Sequence, residues 1–135
     1  KQLGRPELKA LWKGEEAIVL LRDGNGRPYK KHMGDVRDIV HGCVCALDKP
    51  AAMGETFQLG GPSAFTTDEV APYLSKALDI PYVDVRVAGT PTFYEYDLTK
   101  ARTLIAFSPQ YDIFRMIDDA LAFRRGELKD VLPTN

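Results

Sequence analysis

The residues of this 135-residue chain best equipped for chemistry are two histidines, two cysteines and a cluster of aromatic rings around Tyr94. His32 could take part in acid–base chemistry or touch a substrate, because an imidazole changes charge near neutral pH. No carboxylate is spaced to tune it, so the plainer reading is a structural histidine at a strand end, hydrogen-bonded to backbone. Asp35 has the carboxylate of an acid–base group, yet its place just before an apolar-periodic stretch suits a helix N-cap better. Cys43 and Cys45 are separated by one residue, and on a helix positions i and i+2 diverge, which predicts two free thiols. With His32 and His41 they lack metal-site spacing and no Cys-x-x-Cys occurs, so no metal site is expected. Phe93, Tyr94 and Tyr96, beside Pro91, could wall a pocket for a small organic ligand. Packing against neighbouring helices is the equal alternative.

Composition permits elements that would position these groups. Apolar residues make up 44% and charged residues 27%, as in soluble globular proteins, and the length suits a single domain. Lys and Arg number 18 against 19 Asp and Glu, a net charge of -1 without the basic excess of a nucleic-acid binder. Lys30-Lys31 and Arg124-Arg125 are short solvated pairs. The longest apolar run, Ala17-Ile-Val-Leu-Leu21, is far below the roughly 18 residues that span a membrane. The opening residues have no apolar core, so no signal peptide is expected, and free thiols then suit a cytoplasmic location. The start at Lys1, without methionine, points to processing or to excision from something longer.

Periodicity and breakers give the element order. A short helix is expected over 6–13 and a strand over 16–22. The turn Asp23-Gly-Asn-Gly26 would return the chain over 27–31 as a hairpin. Asp35 caps a helix whose Val36, Ile39, Val40, Cys43 and Leu47 form the stripe to be buried. A strand over 55–59 follows, broken by Gly60-Gly61-Pro62. Thr66 and Glu69 fit a capping box for a helix to about Leu78, although Pro72 lies awkwardly deep and would favour Asp68 as the cap. A strand over 82–87 and a loop over 88–94 lead to an Asp97-capped helix bearing Leu98, Ala101, Leu104 and Ile105. The last helix starts at Asp112, buries Ile113, Met116, Ile117, Ala120 and Leu121, and stops at Gly126. The sum is α+β, a small mixed lobe of about five helices and four or five short strands.

Four segments in this order resemble a known family. They are His32-Met-Gly-Asp35-Val36, then Glu55-Thr-Phe-Gln-Leu-Gly-Gly-Pro62 followed by Thr66-x-x-Glu69-Val70, then Tyr96-Asp-Leu-Thr-Lys-Ala-Arg102 followed by Phe107-Ser-Pro-Gln-Tyr111, and the final amphipathic helix. Together, over residues 27–125, they resemble the C-terminal, substrate-side portion of extended short-chain dehydrogenase/reductases, the NAD-dependent epimerase/dehydratase family.

The resemblance implies an NAD- or NADP-dependent epimerase, dehydratase or reductase as the parent protein, with this chain as its substrate-binding lobe. The Rossmann domain that would bind the dinucleotide is missing. The only Gly-x-Gly is Gly24-Asn-Gly26, in a turn with no βαβ unit expected around it, so no cofactor site and no catalytic residue is assigned here. Tyr96-x-x-x-Lys100 copies the spacing of the family's catalytic pair, but a helix capped by Asp97 leaves Tyr96 outside it. Relatives that use nucleotide sugars hold the diphosphate with arginines near Arg27 and Arg86, whose guanidinium forks match phosphate oxygens. The match is imperfect, since Arg86-Val-Ala-Gly89-Thr90 lacks the usual aspartate and Arg27 is one residue too far from His32. The expected substrate contacts are thus Arg27, His32, Arg86 and Tyr94, to a nucleotide sugar or related small molecule. The expected partners are that substrate and the parent's Rossmann domain, with no nucleic acid and no membrane. Self-association through an exposed interlobe surface, over the 93–96 or 60–65 loop, would follow from the missing domain. A non-catalytic dinucleotide-sensing or partner-binding module of the same fold is the alternative.

Overall fold

The computed structural model describes residues 16–128. In chain order these form β1 (Ile18–Asp23), β2 (Lys30–Lys31), α1 (Val36–Leu47), a 3-10 turn (Pro50–Ala52), β3 (Phe65–Thr66), α2 (Thr67–Leu78), β4 (Tyr82–Val87), α3 (Thr99–Ile105) and α4 (Ile113–Arg124). The expected 6–13 helix lies outside the described residues. The fold class is α+β, and the described residues divide into two compact units. One takes 16–31 and 65–94, the other 32–64 and 95–128.

The first unit is built on β1 and β4, which pair in parallel from Ile18↔Tyr82 to Asp23↔Val87. Leu20, Val85 and Val87 are buried with Phe65 and Ala71. α2 lies between the two strands in sequence and is tied to β1 by the Thr67 hydroxyl, which donates to Leu21 O at 2.8 Å. A parallel pair needs a crossover connection; the one here also carries β2, α1 and β3, and the glycine turn leads into β2, not into a helix. The expected hairpin is corrected. Beyond one bridge, Arg22↔Pro28, the returning chain leaves β1, and β2 pairs antiparallel with β3. Turn residues report only on their neighbours, and the partner strand here is more than thirty positions away.

Thr66, not Asp68, is the N-cap of α2. Its backbone N–H and its hydroxyl both donate to Glu69 Oε2, at 2.7 and 2.6 Å. Pro72 is therefore inside the helix, where the Asp68 carbonyl loses its usual donor.

The second unit has its core around α3. Leu98, Ala101, Ile105 and Phe107 are buried, with Cys45, Ala46, Phe57 and Leu59 packed against them. Asp35 caps α1 as expected, its carboxylate accepting from Arg37 N at 2.9 Å. The face that α1 buries is not the expected one. Asp38 and Gly42 are buried, whereas Val36, Val40, Cys43 and Leu47 are exposed. Gly42 permits the approach: a β-carbon there would stand 2.7 Å from Leu59 Cδ1 and 3.2 Å from Phe107 Cδ2. The 55–59 segment finds no partner strand and joins no ladder. α4 starts at Asp112 and is followed by Gly126 at φ +74°, both as expected, but no residue of its apolar stripe is fully buried.

Candidate functional site

In the second unit the segment carrying His32 is clamped against the two glycines. Gly61 N–H donates to Met33 O at 2.8 Å. A β-carbon on Gly61 would come within 2.6 Å of that same oxygen, so only glycine fits without a backbone shift. His32 is 3% exposed. Its Nδ1 accepts from Tyr96 N–H at 3.0 Å, which leaves Nε2 to donate to Gly61 O at 2.8 Å. The ring also stacks on Tyr96 at 5.2 Å between centroids. Both nitrogens are committed to backbone, so the ring holds three segments together and has no free atom for a substrate.

Tyr96 is outside α3, whose N-cap is Leu98 and not the expected Asp97; Asp97, one residue earlier, still accepts from Thr99 N–H at 2.9 Å. Lys100 turns instead to Glu55, 2.6 Å away. The Tyr-x-x-x-Lys spacing therefore assembles no reactive pair.

The other three expected contacts lie in the first unit. Arg27 is exposed after the glycine turn, with its guanidinium 5.1 Å from the centre of the Phe93 ring and Nε 3.4 Å from Asp23. Lys30 Nζ stands 5.7 Å from the same ring. Arg86 projects from β4, paired in register with Arg22. Its guanidinium lies against Gly26, 3.6 Å from where a β-carbon would be. Arg27 and Arg86 are thus gathered at one turn, and Arg22 is occupied by Asp84 at 2.8 Å. Tyr94 is partly exposed, and its N–H donates to Lys30 O at 3.3 Å. A surface with two exposed guanidiniums, one of them over the Phe93 ring, can grip a phosphate and a flat or apolar group together.

Sequence reasoning missed the polar node at the start of α1. Asp38 is 1% exposed and accepts from Gln110 N–H at 2.8 Å and Tyr111 N–H at 3.0 Å. Arg37 makes two charged hydrogen bonds to Asp35, at 2.8 and 2.9 Å, and an ion pair with Asp119 at 2.7 Å. It also lies 3.7 Å from the centre of the Tyr111 ring, with Arg115 at 4.1 Å. These contacts hold the Arg37 guanidinium far above its ordinary range, the Asp35 hydrogen bond most of all. The available signal was an aspartate followed by Ile39 and Val40 inside a helical stretch.

The family resemblance implies a dinucleotide, and the described residues do not fit one. Pyrophosphate sites use free N–H groups where a glycine turn opens into a helix. Here Asp23 fills the turn itself, accepting from Asn25 N–H at 3.0 Å, Arg27 N–H at 2.7 Å and Gly26 N–H at 3.0 Å. The turn leads to β2, not to a helix. Among the described residues no group of three or more metal-ligating side chains occurs, and no helix is long and apolar enough to cross a membrane.

No protein-family model matches the chain, and no curated protein does. Solved structures do. A short-chain dehydrogenase/reductase superfamily protein from Agrobacterium tumefaciens, with bound NAD, is 32% identical at a TM-score of 0.84, over 89% of this chain and 37% of that one. The UDP-glucuronic acid 4-epimerase of Bacillus cereus, in complex with UDP-glucuronic acid and NAD, is 19% identical at 0.63, over 82% of this chain and 36% of that one. RMD from Pseudomonas aeruginosa, complexed with NADPH, is 12% identical at 0.63, over 84% and 38%. The chain therefore spans under two fifths of the length of each. It has the fold of a portion of a short-chain dehydrogenase/reductase superfamily protein.

Proposed function

We propose that the chain is the substrate-binding portion of an NAD(P)-dependent epimerase, dehydratase or reductase of the short-chain dehydrogenase/reductase superfamily. The observation that carries this reading is the 32% identity and 0.84 TM-score to an NAD-bound superfamily protein. In this reading the dinucleotide and the hydride chemistry belong to parent residues outside these 135, and the chain selects the substrate. Arg27 and Arg86 take a phosphorylated group at the 23–27 turn, because guanidinium forks match phosphate oxygens. Tyr94, with Phe93 beside Arg27, offers ring surface to the rest of the molecule. A nucleotide sugar has both parts, and the Bacillus cereus protein is solved with one. His32 contributes at one remove, by holding the Gly61 and Tyr96 backbones. A cytoplasmic location accords with this chemistry.

The test is an NMR titration of the chain with inorganic pyrophosphate and with UDP-glucuronic acid, following arginine Nε–H signals. The signals of Arg27 and Arg86 move together and saturate, ahead of those of the exposed Arg124 and Arg125. Arg86→Ala weakens the Arg27 response by at least about fivefold, the loss of one charged hydrogen bond. Equal drift of every exposed arginine overturns the assignment.

A further inference from the structure

The 23–27 turn contains two residue pairs of the kind that rearrange without an enzyme, Asp23–Gly24 and Asn25–Gly26. In each, ring closure joins the side-chain carbonyl carbon to the backbone nitrogen of the next residue. That residue is glycine, with no β-carbon to crowd the approach. By sequence both pairs are candidates, and the structure separates them. Asp23 is 3% exposed, and its carboxylate accepts from Asn25 N–H at 3.0 Å and from Arg27 N–H at 2.7 Å, with Arg27 Nε 3.4 Å away. The Arg27 N–H bond, above all, holds this carboxyl below its ordinary 3.8, so it is ionised at neutral pH. A carboxylate held on both oxygens does not swing onto Gly24 N, and it has no good leaving group. Asn25 is exposed, and among the described residues its side-chain amide makes no hydrogen bond. It is neutral, it can rotate, and it can lose ammonia. The tip of the turn stands in solvent, since a β-carbon on Gly24 would meet nothing within 4 Å. The restraint on the attacking nitrogen is one turn hydrogen bond, Gly26 N–H to Asp23 O at 3.0 Å.

We infer that Asn25–Gly26 is a site of spontaneous covalent modification, which places a carboxylate beside the guanidiniums of Arg27 and Arg86. Solvent base takes the Gly26 amide proton, and the nitrogen attacks Asn25 Cγ. The N–Cγ bond forms, the Cγ–Nδ2 bond breaks, and ammonia leaves with a proton from water. Water then opens the succinimide at either carbonyl. One opening gives an aspartyl residue. The other gives an isoaspartyl residue, whose backbone runs through Cγ and is one carbon longer. The consequence for binding rests on the reading of Arg27 and Arg86 as a phosphate grip. Arg86 Nη2 lies 3.6 Å from where a β-carbon on Gly26 would stand, and Arg27 is the next residue along the chain. A carboxylate at position 25 offers these guanidiniums the two-oxygen match that a phosphate offers, and its charge repels the phosphate. The isoaspartyl form also lengthens the turn and draws Arg27 N–H away from the Asp23 carboxylate. The grip therefore weakens as the polypeptide ages.

The test incubates the 135-residue chain at mildly alkaline pH and locates the products by tandem mass spectrometry and isoaspartate-specific methylation. Product accumulates at position 25 while Asp23 stays unchanged. Asn25→Gln keeps the amide but closes a larger ring, and it reacts at least about fivefold more slowly because a further rotor must be frozen. The aged chain and Asn25→Asp each need at least about threefold more pyrophosphate than the fresh chain to move the Arg27 and Arg86 Nε–H signals, the effect of one added negative charge at close range. No product at position 25, isoaspartate at 23 as fast as at 25, or an Asn25→Gln rate equal to that of the unaltered chain overturns the assignment, while the substrate-binding reading stands. Unchanged pyrophosphate affinity in the aged chain overturns the weakening of the grip. A fresh chain whose arginines ignore pyrophosphate overturns the substrate-site reading and the weakening with it, while product at position 25 still upholds the modification.

Discussion

Asp35 and Asp38 sit three residues apart, and their partners explain why only one was legible. Asp35 meets Arg37 and the first turn of its own helix, so its N-cap role follows from local spacing. Its carboxyl is held below the ordinary 3.8, first by the Arg37 side-chain hydrogen bonds and further by the Arg37 N–H, against the cost of burial. A depressed folded-state value means that the unfolded chain binds the proton more readily, so this contribution is complete above about pH 4 and is lost as pH falls through the depressed value. The expected outcome is a carbon-detected NMR midpoint for Asp35 below 3.8, returning toward it in Arg37→Gln, with acid unfolding of that variant beginning at higher pH. Asp38 accepts N–H groups 72 and 73 residues away, which nothing local announces. Asp38→Ala leaves both part-buried donors without their acceptor and costs about 2 kcal/mol in urea unfolding, whereas Glu55→Ala on the surface costs under about 1 kcal/mol. A loss for Asp38→Ala no larger than for Glu55→Ala contradicts the anchoring role.

At the scale of elements, the starts and stops with dedicated residue types were legible, and those forced by packing were not. Gly126 follows α4 at φ +74°, and a glycine after an apolar stripe is a readable stop. Ala106 ends α3 at φ 57°, ψ 33° with no such signal, because Phe107, which follows it, is 1% exposed and fixed in the core. A non-glycine residue in that conformation costs about 1 kcal/mol or more. Ala106→Gly should therefore raise stability by about 0.5–1 kcal/mol, after the entropy that glycine adds to the unfolded chain, and the melting temperature by about 3 °C. Gly126→Ala should move it the other way, and a loss in both variants would mean that the methyl of Ala106 has packing value exceeding its strain. The same limit explains α1. Periodicity reveals that Val36, Val40 and Leu47 share a face, but a stripe is silent on which neighbour covers it, and Asp38 with Gly42 took the inner side.

For the molecule as a whole, local turn chemistry predicted a hairpin, while the structure joins β1 to β4 in parallel, a pairing set by residues some sixty positions apart. The family resemblance carried what local rules could not, since the order of short motifs samples the whole chain, and the fold of a superfamily portion followed from it. The remaining question at this scale is whether the 135 residues hold a nicotinamide dinucleotide unaided. A pyrophosphate needs several free N–H groups and the positive end of a helix. Each of the four described helix starts already has a carboxylate among its first N–H groups: Asp35, Glu69, Asp97 and Asp112. A second anion there would meet like charge. The Asp23–Arg27 turn is closed by its own aspartate in the same way. Calorimetric titration of the chain with NAD, NADP and their reduced forms should show no binding tighter than about 0.1 mM, an association free energy weaker than about -5.5 kcal/mol. Arg27 and Arg86 remain available to any phosphate, so whatever weak heat appears should be shared by pyrophosphate and vanish at high salt, as exposed charge attraction does. Saturable binding at roughly 10 µM that distinguishes oxidised from reduced nicotinamide would defeat this expectation, because such discrimination requires a formed cofactor pocket within these residues.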